Sequence, residues 1–433
     1  MEGIEIIELS ALLKHYKRKE IQEAIIENAA NREVAVKYGD KGFGSRPDVL
    51  QYPTDVLELA KQGATSFHAS EEIWKNPLQL DPLMKKKDAE NLRIGWDLVL
   101  DIDCPFLEYG KMAADLVIKA LKYHGIKSIS CKFSGGTGFH IGVPFEAFPD
   151  KVHGKETRLL FPDGPRKIAL YLKEMIKKHL AEEILKKETI SQLIKKTGKG
   201  FNEIVKHNVF DPFSILNIDT LLISSRHLYR MPYVFNEKTG LVSIPINPEK
   251  VLLFNNAIAS PKYVRVSKFK FLDKSKAEKN EASKLIVQAF DFSENKTEEI
   301  KIKNEKTYAM PESALHEQFF PPCIQNILKG IEDGKKRSIF ILVNFLTSVG
   351  WDYEKIENLL RDWNKKNPEP VREVYIVGQL RYHKQQKKRI LPPNCQNSMY
   401  YKDFGVCTPD NLCQKIKNPV NYSRRKTFYL NKK

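Results

Sequence analysis

No stretch of the 433 residues approaches the roughly 18 consecutive apolar residues that a membrane span requires. The first twenty residues run from acidic to basic, with no apolar stretch and no small-residue cleavage site. They do not read as a secretory signal, and a cytoplasmic location is expected. Paired Cys-x-x-Cys ligands are missing, which removes the common zinc-finger patterns. No Gly-Lys-Ser/Thr follows any glycine-rich turn, which removes the P-loop. No internal repeat occurs, which removes solenoids and propellers. Cysteine is scarce, at six residues, and in a cytosolic chain these are not a disulfide framework.

What is present is a folded composition, 42% hydrophobic and 10% aromatic, with a formal charge of +17. That excess suits a polyanionic partner, because each neutralised phosphate releases counterions. It equally suits a lysine-rich or heat-adapted surface. The length predicts two or three domains.

Helical spacing of Leu12, Leu13, Ile21, Ile25 and Ile26 predicts a mostly helical start over residues 1–90. IGWDLVLDID (94–103) reads as a strand ending in acids. LEYGKMAADLVIKALKYHG is an amphipathic helix stopping at Gly125, and SISCKFS and FHIGVPF are two further strands. Helix returns over 163–207 and strands over 216–246, with a hairpin turn at Glu237 to Gly240. Residues 270–306 are charged and poor in aromatics, and 266–310 read as a linker with one short strand or helix around LIVQAFDF. From 311 to 433 a compact helical unit is expected.

Three motifs carry chemistry. Asp101 and Asp103 alternate onto one face of a strand end, where they can share a metal ion, with Asp219 at the end of LNID as a third acid. A DxD by itself equally marks an exposed strand end. SGGTGFH (134–140) joins two strands. Its glycines allow close backbone approach to an anion, and Ser134 and His140 can donate to phosphate. Such a turn can also be only a hairpin. SSRHLYRMPYVFNEKTG sets Arg226, His227 and Arg230 beside the strand carrying Asp219; these could grip a triphosphate or form an ordinary basic loop.

In this order the motifs resemble the catalytic subunit of archaeo-eukaryotic primases: DID at 101–103, SGGTGFH at 134–140, Asp219, HLYRMP at 227–232 and KTG at 238–240. Tyr16, Arg32-Glu33, Arg46-Pro47 and SFHAS at 66–70 add to the likeness, which covers roughly residues 10–250. It implies an α+β prim-pol palm with a mixed sheet and flanking helices over residues 1–265. By the same resemblance Asp101, Asp103 and Asp219 would bind two Mg²⁺ or Mn²⁺ ions. Ser134, His140, His227 and Arg230, with Arg46, would hold the nucleotide's phosphates. Two departures stand out. Gly136 and Thr137 replace basic residues inside the turn, and Cys104 and Cys131 lack the grouping of a zinc knob, so both read as core residues.

The other cysteines follow C-x71-C-x11-C-x5-C (Cys323, Cys395, Cys407, Cys413), which by spacing alone suits scattered buried thiols. PPCIQNILKGI, a following helix ending in VGW, and VCTPDNLCQKIKNPVNY resemble the iron–sulfur domain of the primase large subunit. That resemblance implies a [4Fe–4S] cluster on the four thiolates, with zinc as the alternative. Arg337, Arg381, Tyr382, His383, the KQQKKR run at 384–389 and the SRRK tail would grip a template–primer duplex or a 5′-triphosphate. Together the two resemblances imply one chain, like the single-chain primases of reduced archaea, that fuses a catalytic core to a large-subunit-like C-terminal domain. Its partners would be single-stranded DNA template, primer–template duplex, NTPs or dNTPs, and other replication-fork proteins. A repair-type primase-polymerase and a non-catalytic nucleic-acid-binding subunit are the rival expectations.

Overall fold

The computed structural model describes residues 7–81, 84–206, 208–219, 223–303, 313–385 and 390–430. The chain divides into two compact units, Met1–Asn304 and Glu305–Lys433. Among the described residues no helix is long and apolar enough to cross a membrane.

The first unit is α+β and is built on two antiparallel sheets. The strands that matter are β1 (Val34–Lys37), β2 (Ser66–Ser70), β3 (Glu72–Trp74), β4 (Arg93–Trp96), β5 (Leu98–Asp103), β6 (Ser130–Phe133), β7 (Phe139–Val143), β8 (Asn217–Ile218), β9 (Leu228–Arg230) and β10 (Ile244–Ile246). The larger sheet runs β8-β5-β7-β6-β10 and the smaller β1-β2-β9. Every described strand pair is antiparallel, so the expected mixed sheet is corrected to an antiparallel one. The chain returns by short turns from β6 to β7, which favours antiparallel neighbours. The expected single strand over 94–103 is two strands. Asp97 interrupts it, with its carboxylate buried against Arg32 and accepting the Phe145 N–H at 2.7 Å. The helical start expected for residues 1–90 is likewise broken by β1, β2 and β3.

Helix Leu107–Tyr123 packs one apolar face (Ala113, Ala114, Val117, Ile118, Leu121) on the larger sheet. Helix Asp163–Leu185 lies against it, burying Ile168, Leu172, Ile176 and Leu180. Cys104 and Cys131 are buried in this core, as read from the sequence.

The expected linker at 266–310 is corrected through the described residues. Phe271, Leu272, Ala282, Leu285, Ile286, Ala289 and Phe290 all belong to the first unit's core. Helix Ser283–Lys303 packs on helix Asp163–Leu185. Its apolar residues recur at helical spacing, and burying them outweighs the charged composition. Residues 304–310 of the expected linker lie outside the described residues.

The second unit is helical: Pro322–Leu328, Lys335–Ser348, Tyr353–Lys365, Glu373–Gln385 and Pro419–Leu430. Helix Lys335–Ser348 is central, with Ile339, Leu342, Val343, Phe345 and Leu346 buried.

Candidate active site and cysteine cluster

Register decides which side chains meet. Asp101 pairs with His140, and His140 with Lys132, so all three share one face across β5, β7 and β6. On the other edge of β5, Asn217 pairs with Asp103 and Ile218 with Ile102. The Asp219 N–H then donates to the Asp101 carbonyl at 3.0 Å, continuing the ladder. A residue 116 positions past Asp103 is thereby set beside the DxD. In the smaller sheet Arg230 pairs with His68.

A cleft of about 250 Å³ is lined by His68, Glu71, Asp101, Asp103, Ser134, His140, His227, Tyr229, Arg230 and Asn236. Side chains of both sheets thus face one space. Arg46 is not among the lining residues. Its guanidinium is committed to the Glu33 carboxylate (2.8 Å) and the Arg226 carbonyl (2.8 Å). This corrects its expected place at the phosphates: the buried, charged Glu33 holds both arginines.

Burial, reinforced by carboxylate repulsion, sets the electrostatics of the acids. Burial, then the charges of Asp103 and Asp219, push the Asp101 carboxyl up to about 7. Burial and Asp219 raise Asp103 too. Asp101 Oδ1 is shut off from solvent and accepts no hydrogen bond, with His140 Nε2 at 3.4 Å. The remainder of that side chain is a third exposed to the cleft. Burial pulls the Lys132 ammonium down to about 7, against the opposing pull of Asp101, and it donates to Ser243 Oγ at 3.1 Å.

The imidazoles differ. Burial, with Lys132 and Arg230 nearby, holds His140 well below its ordinary value, so it is neutral at pH 7. His227 is held above: burial opposes, but the Glu71 carboxylate outweighs it, helped by Asp219 and Asp101. Arg230 is gripped by Glu237 at 2.9 Å and donates to the Phe235 carbonyl.

The glycine turn is as much a packing device as a cradle. Gly138 lies so close to β5 that a Cβ would meet the Ile102 carbonyl oxygen at 2.3 Å. Gly135 has φ +90° and is pinned through its carbonyl by the Thr239 hydroxyl at 2.5 Å. The Lys-Thr-Gly motif therefore fastens the turn from the side. Sequence reasoning missed Glu71, Lys132 and Glu237, because nothing in their spacing announces partners supplied by distant strands.

In the second unit the four thiols sense one another. Burial, then Cys395, Cys407 and Cys413, push the Cys323 thiol up, and burial followed by Cys413 and Cys407 lifts Cys395 to about 11. Cys323 and Cys407 pack on the helical core. Among the described residues no group of three or more His, Cys, Asp or Glu side chains is gathered closely enough to hold a metal ion. Arg337 stacks over Phe404 at 5.1 Å, Lys336 over Tyr375 at 4.2 Å, and His383 Nε2 meets Asn344 Oδ1 at 2.5 Å inside the unit. His383 is thus a core residue here rather than a surface donor. Residues 386–389 of the basic run lie outside the described residues.

Residues 313–428 match the family model of the eukaryotic and archaeal DNA primase large subunit, C-terminal domain. The second unit is primase-large-subunit-like. Similar curated proteins include the DNA primase large subunit PriL of Methanosarcina acetivorans, 27% identical over 31% of this chain and 36% of that protein. The PriL of Methanosarcina mazei is 28% identical over 28% of this chain and 31% of that protein. The chain spans about a third of the length of the curated relatives it matches. Among solved structures, the polymerase domain of Mycobacterium tuberculosis ligase D in complex with DNA aligns with a TM-score of 0.37 and 14% identity. That alignment covers 66% of this chain and 90% of that one, a likeness too slight to show a common fold.

Proposed function

We propose that this chain is a DNA primase that carries its catalytic core and a large-subunit-like nucleic-acid-binding domain in one polypeptide. The observation that carries the reading is the meeting of Asp101 and Asp103 with Ser134, His140, His227 and Arg230 around one cleft, with Asp219 bonded through its N–H to the Asp101 carbonyl. Three mutually repelling carboxylates, one with an unbonded buried oxygen, make a costly arrangement unless cations neutralise it. Mg²⁺ or Mn²⁺ would draw Asp101, Asp103 and Asp219 together as ligands, since among the described residues the three are not gathered to ligand spacing. When bound, such ions lower the barrier to attack by a 3′-hydroxyl and neutralise the departing pyrophosphate.

The chain's own residues supply the rest. The Ser134 hydroxyl and the backbone of the 134–140 turn receive triphosphate oxygens. The His227 ring, held by Glu71, and the Arg230 guanidinium line the same cleft as the acids and take up phosphate oxygens. His140, neutral and 5% exposed, lies with Nε2 3.4 Å from Asp101 Oδ1 and lines the same cleft. The two sheets together hold the reactants in line.

In the second unit the donor chemistry fits a [4Fe–4S] cluster on Cys323, Cys395, Cys407 and Cys413. A single zinc at about 2.3 Å from each sulfur would draw four thiolates within about 4 Å of one another, whereas a cubane gives each thiolate its own corner iron. The thiols bear on one another electrostatically, and zinc on the same four thiolates is the alternative. Single-stranded template, primer–template duplex and nucleoside triphosphates are the proposed partners, supported by the +17 charge.

Primer synthesis on single-stranded DNA tests the reading. Asp101→Ala and Asp103→Ala are each expected to abolish incorporation while leaving DNA binding intact; undiminished synthesis would remove the assignment. A second reading, a nucleic-acid-binding subunit without its own chemistry, is favoured by the match to a large-subunit domain. It predicts DNA binding with no incorporation under any metal condition.

A further inference from the structure

A carboxylate that no sequence motif names stands behind His227. Glu71, in the turn between β2 and β3, is 1% exposed. Its backbone is fixed at both ends. The N–H donates to the His227 carbonyl at 3.1 Å, and the carbonyl accepts from the Asp97 N–H at 2.9 Å and from the Arg32 guanidinium at 3.2 Å. Its Oε1 lies 2.8 Å from His227 Nδ1, while Oε2 is buried with no hydrogen bond. Glu71 lines the same cleft as Asp101, Ser134 and His140.

This separates the three imidazoles of the cleft. His68 Nε2 meets the Ser66 hydroxyl at 3.1 Å, and His140 has no carboxylate oxygen nearer than 3.4 Å. Among these three, His227 alone is hydrogen-bonded to a carboxylate in the described residues. An imidazole whose Nδ1–H donates to a carboxylate is fixed in ring orientation, and its remaining nitrogen, Nε2, is left for a ligand. A neutral ring bonded this way would turn an Nε2 lone pair toward phosphate oxygens and repel them; the imidazolium turns an N–H toward them instead. The charge of the carboxylate therefore matters as well as its hydrogen bond.

We propose that Glu71 is a positioning residue that orients His227 and keeps its Nε2–H a donor to the triphosphate of the incoming nucleotide. The inference rests on the primase reading above. The charged groups bearing on His227 are Glu71 from the β2–β3 turn, Asp101 from β5 and Asp219 after β8. Of these, Glu71 is the one whose oxygen sits at hydrogen-bond distance from the ring and whose backbone is bonded to His227 itself.

The test is nucleoside triphosphate binding and incorporation by the full chain with Mg²⁺, from about pH 6.5 to about pH 8. Glu71→Gln keeps the size and an acceptor oxygen but removes the charge. It should bind nucleotide about tenfold more weakly at the upper end and recover toward wild type at the lower end. Single-stranded DNA binding and the melting temperature should not move. A purely structural Glu71 would lower the melt without tilting the pH profile, and that outcome, or equal affinities across the range, overturns the proposal. Should Glu71→Gln fail to fold, nitrogen-detected NMR of histidine-labelled wild type decides. Both ring nitrogens of His227 protonated near neutral pH supports the proposal, and a neutral ring, with its one proton on either nitrogen, overturns it. A wild-type chain that binds nucleotide but never incorporates it sinks the primase reading instead, and leaves the NMR result to judge Glu71 separately.

Discussion

Gly138 has no room for a side chain, since a Cβ there would stand 2.3 Å from the Ile102 carbonyl oxygen in the strand that carries both aspartates. Gly138→Ala must push the turn off β5 and carry His140, two residues on, away from Asp101. The expected loss is about 1–3 kcal/mol of unfolding free energy, typical of overpacking, read by urea denaturation. An unchanged midpoint would mean the turn is free to move. Asp101 makes a different statement. Its carboxyl titrates near 7 in the folded chain, above the ordinary aspartate value, so between those values the folded state holds the extra proton. Stability is therefore fullest at acid pH and falls as pH rises toward 7. Without divalent ions, Asp101→Asn should remove that slope and raise the melting temperature near pH 7. Mg²⁺ or Mn²⁺ should stabilise the wild type more than the variant. A wild-type melt that ignores both pH and metal over this range would contradict the crowding of the three acids.

Helix Ser283–Lys303 shows what burial does to a stretch that composition assigns to a linker. Ala282, Leu285, Ile286, Ala289 and Phe290 step around one face and are buried, and Phe271 and Leu272 precede them into the same core. A fragment ending at residue 265 should therefore fail to fold, whereas one ending near residue 303 should melt cooperatively. Leu285→Ala should cost about 2–5 kcal/mol. A folded, stable 1–265 fragment by circular dichroism would refute this packing. The apolar period is present in the sequence, but the lysines and glutamates between its members mask it. The DxD, the glycine turn and helix Leu107–Tyr123 were legible because residue type and short-range spacing carry their meaning. That Asp219 would stand beside Asp101 rested on resemblance, and strand register supplies the physical reason. The pairing of Glu71 with His227 was not legible, because partners 156 residues apart are brought together only by how the sheets assemble. Arg46 failed for the same reason in reverse: a buried Glu33 claims it.

On the scale of the whole molecule, starting a strand and extending one place different demands on the two units. On the proposed primase reading, extension needs an existing 3′ end, a triphosphate and the acid cleft, all of which the first unit would serve. Starting requires two separate nucleotides to be held on a template with no duplex to help. That entropic cost suits a second binding unit on the same chain, since tethering raises the effective concentration of what it holds. On the proposed cluster, folding of that second unit would depend on thiols drawn from a helix at Cys323 and from the segments around Cys395, Cys407 and Cys413. Burial holds Cys323 and Cys395 protonated unless a metal binds, and a bound metal would replace those protons and staple the loops to the helix. Cys407→Ser should therefore lower the melting of the second unit and abolish products begun from free nucleotides, while extension of an annealed primer persists at more than half the wild-type rate. Gel analysis of the two reactions side by side reads this out. Equal loss of both would make the cysteines a requirement of the whole fold, and undiminished starts would leave the second unit with no part in initiation.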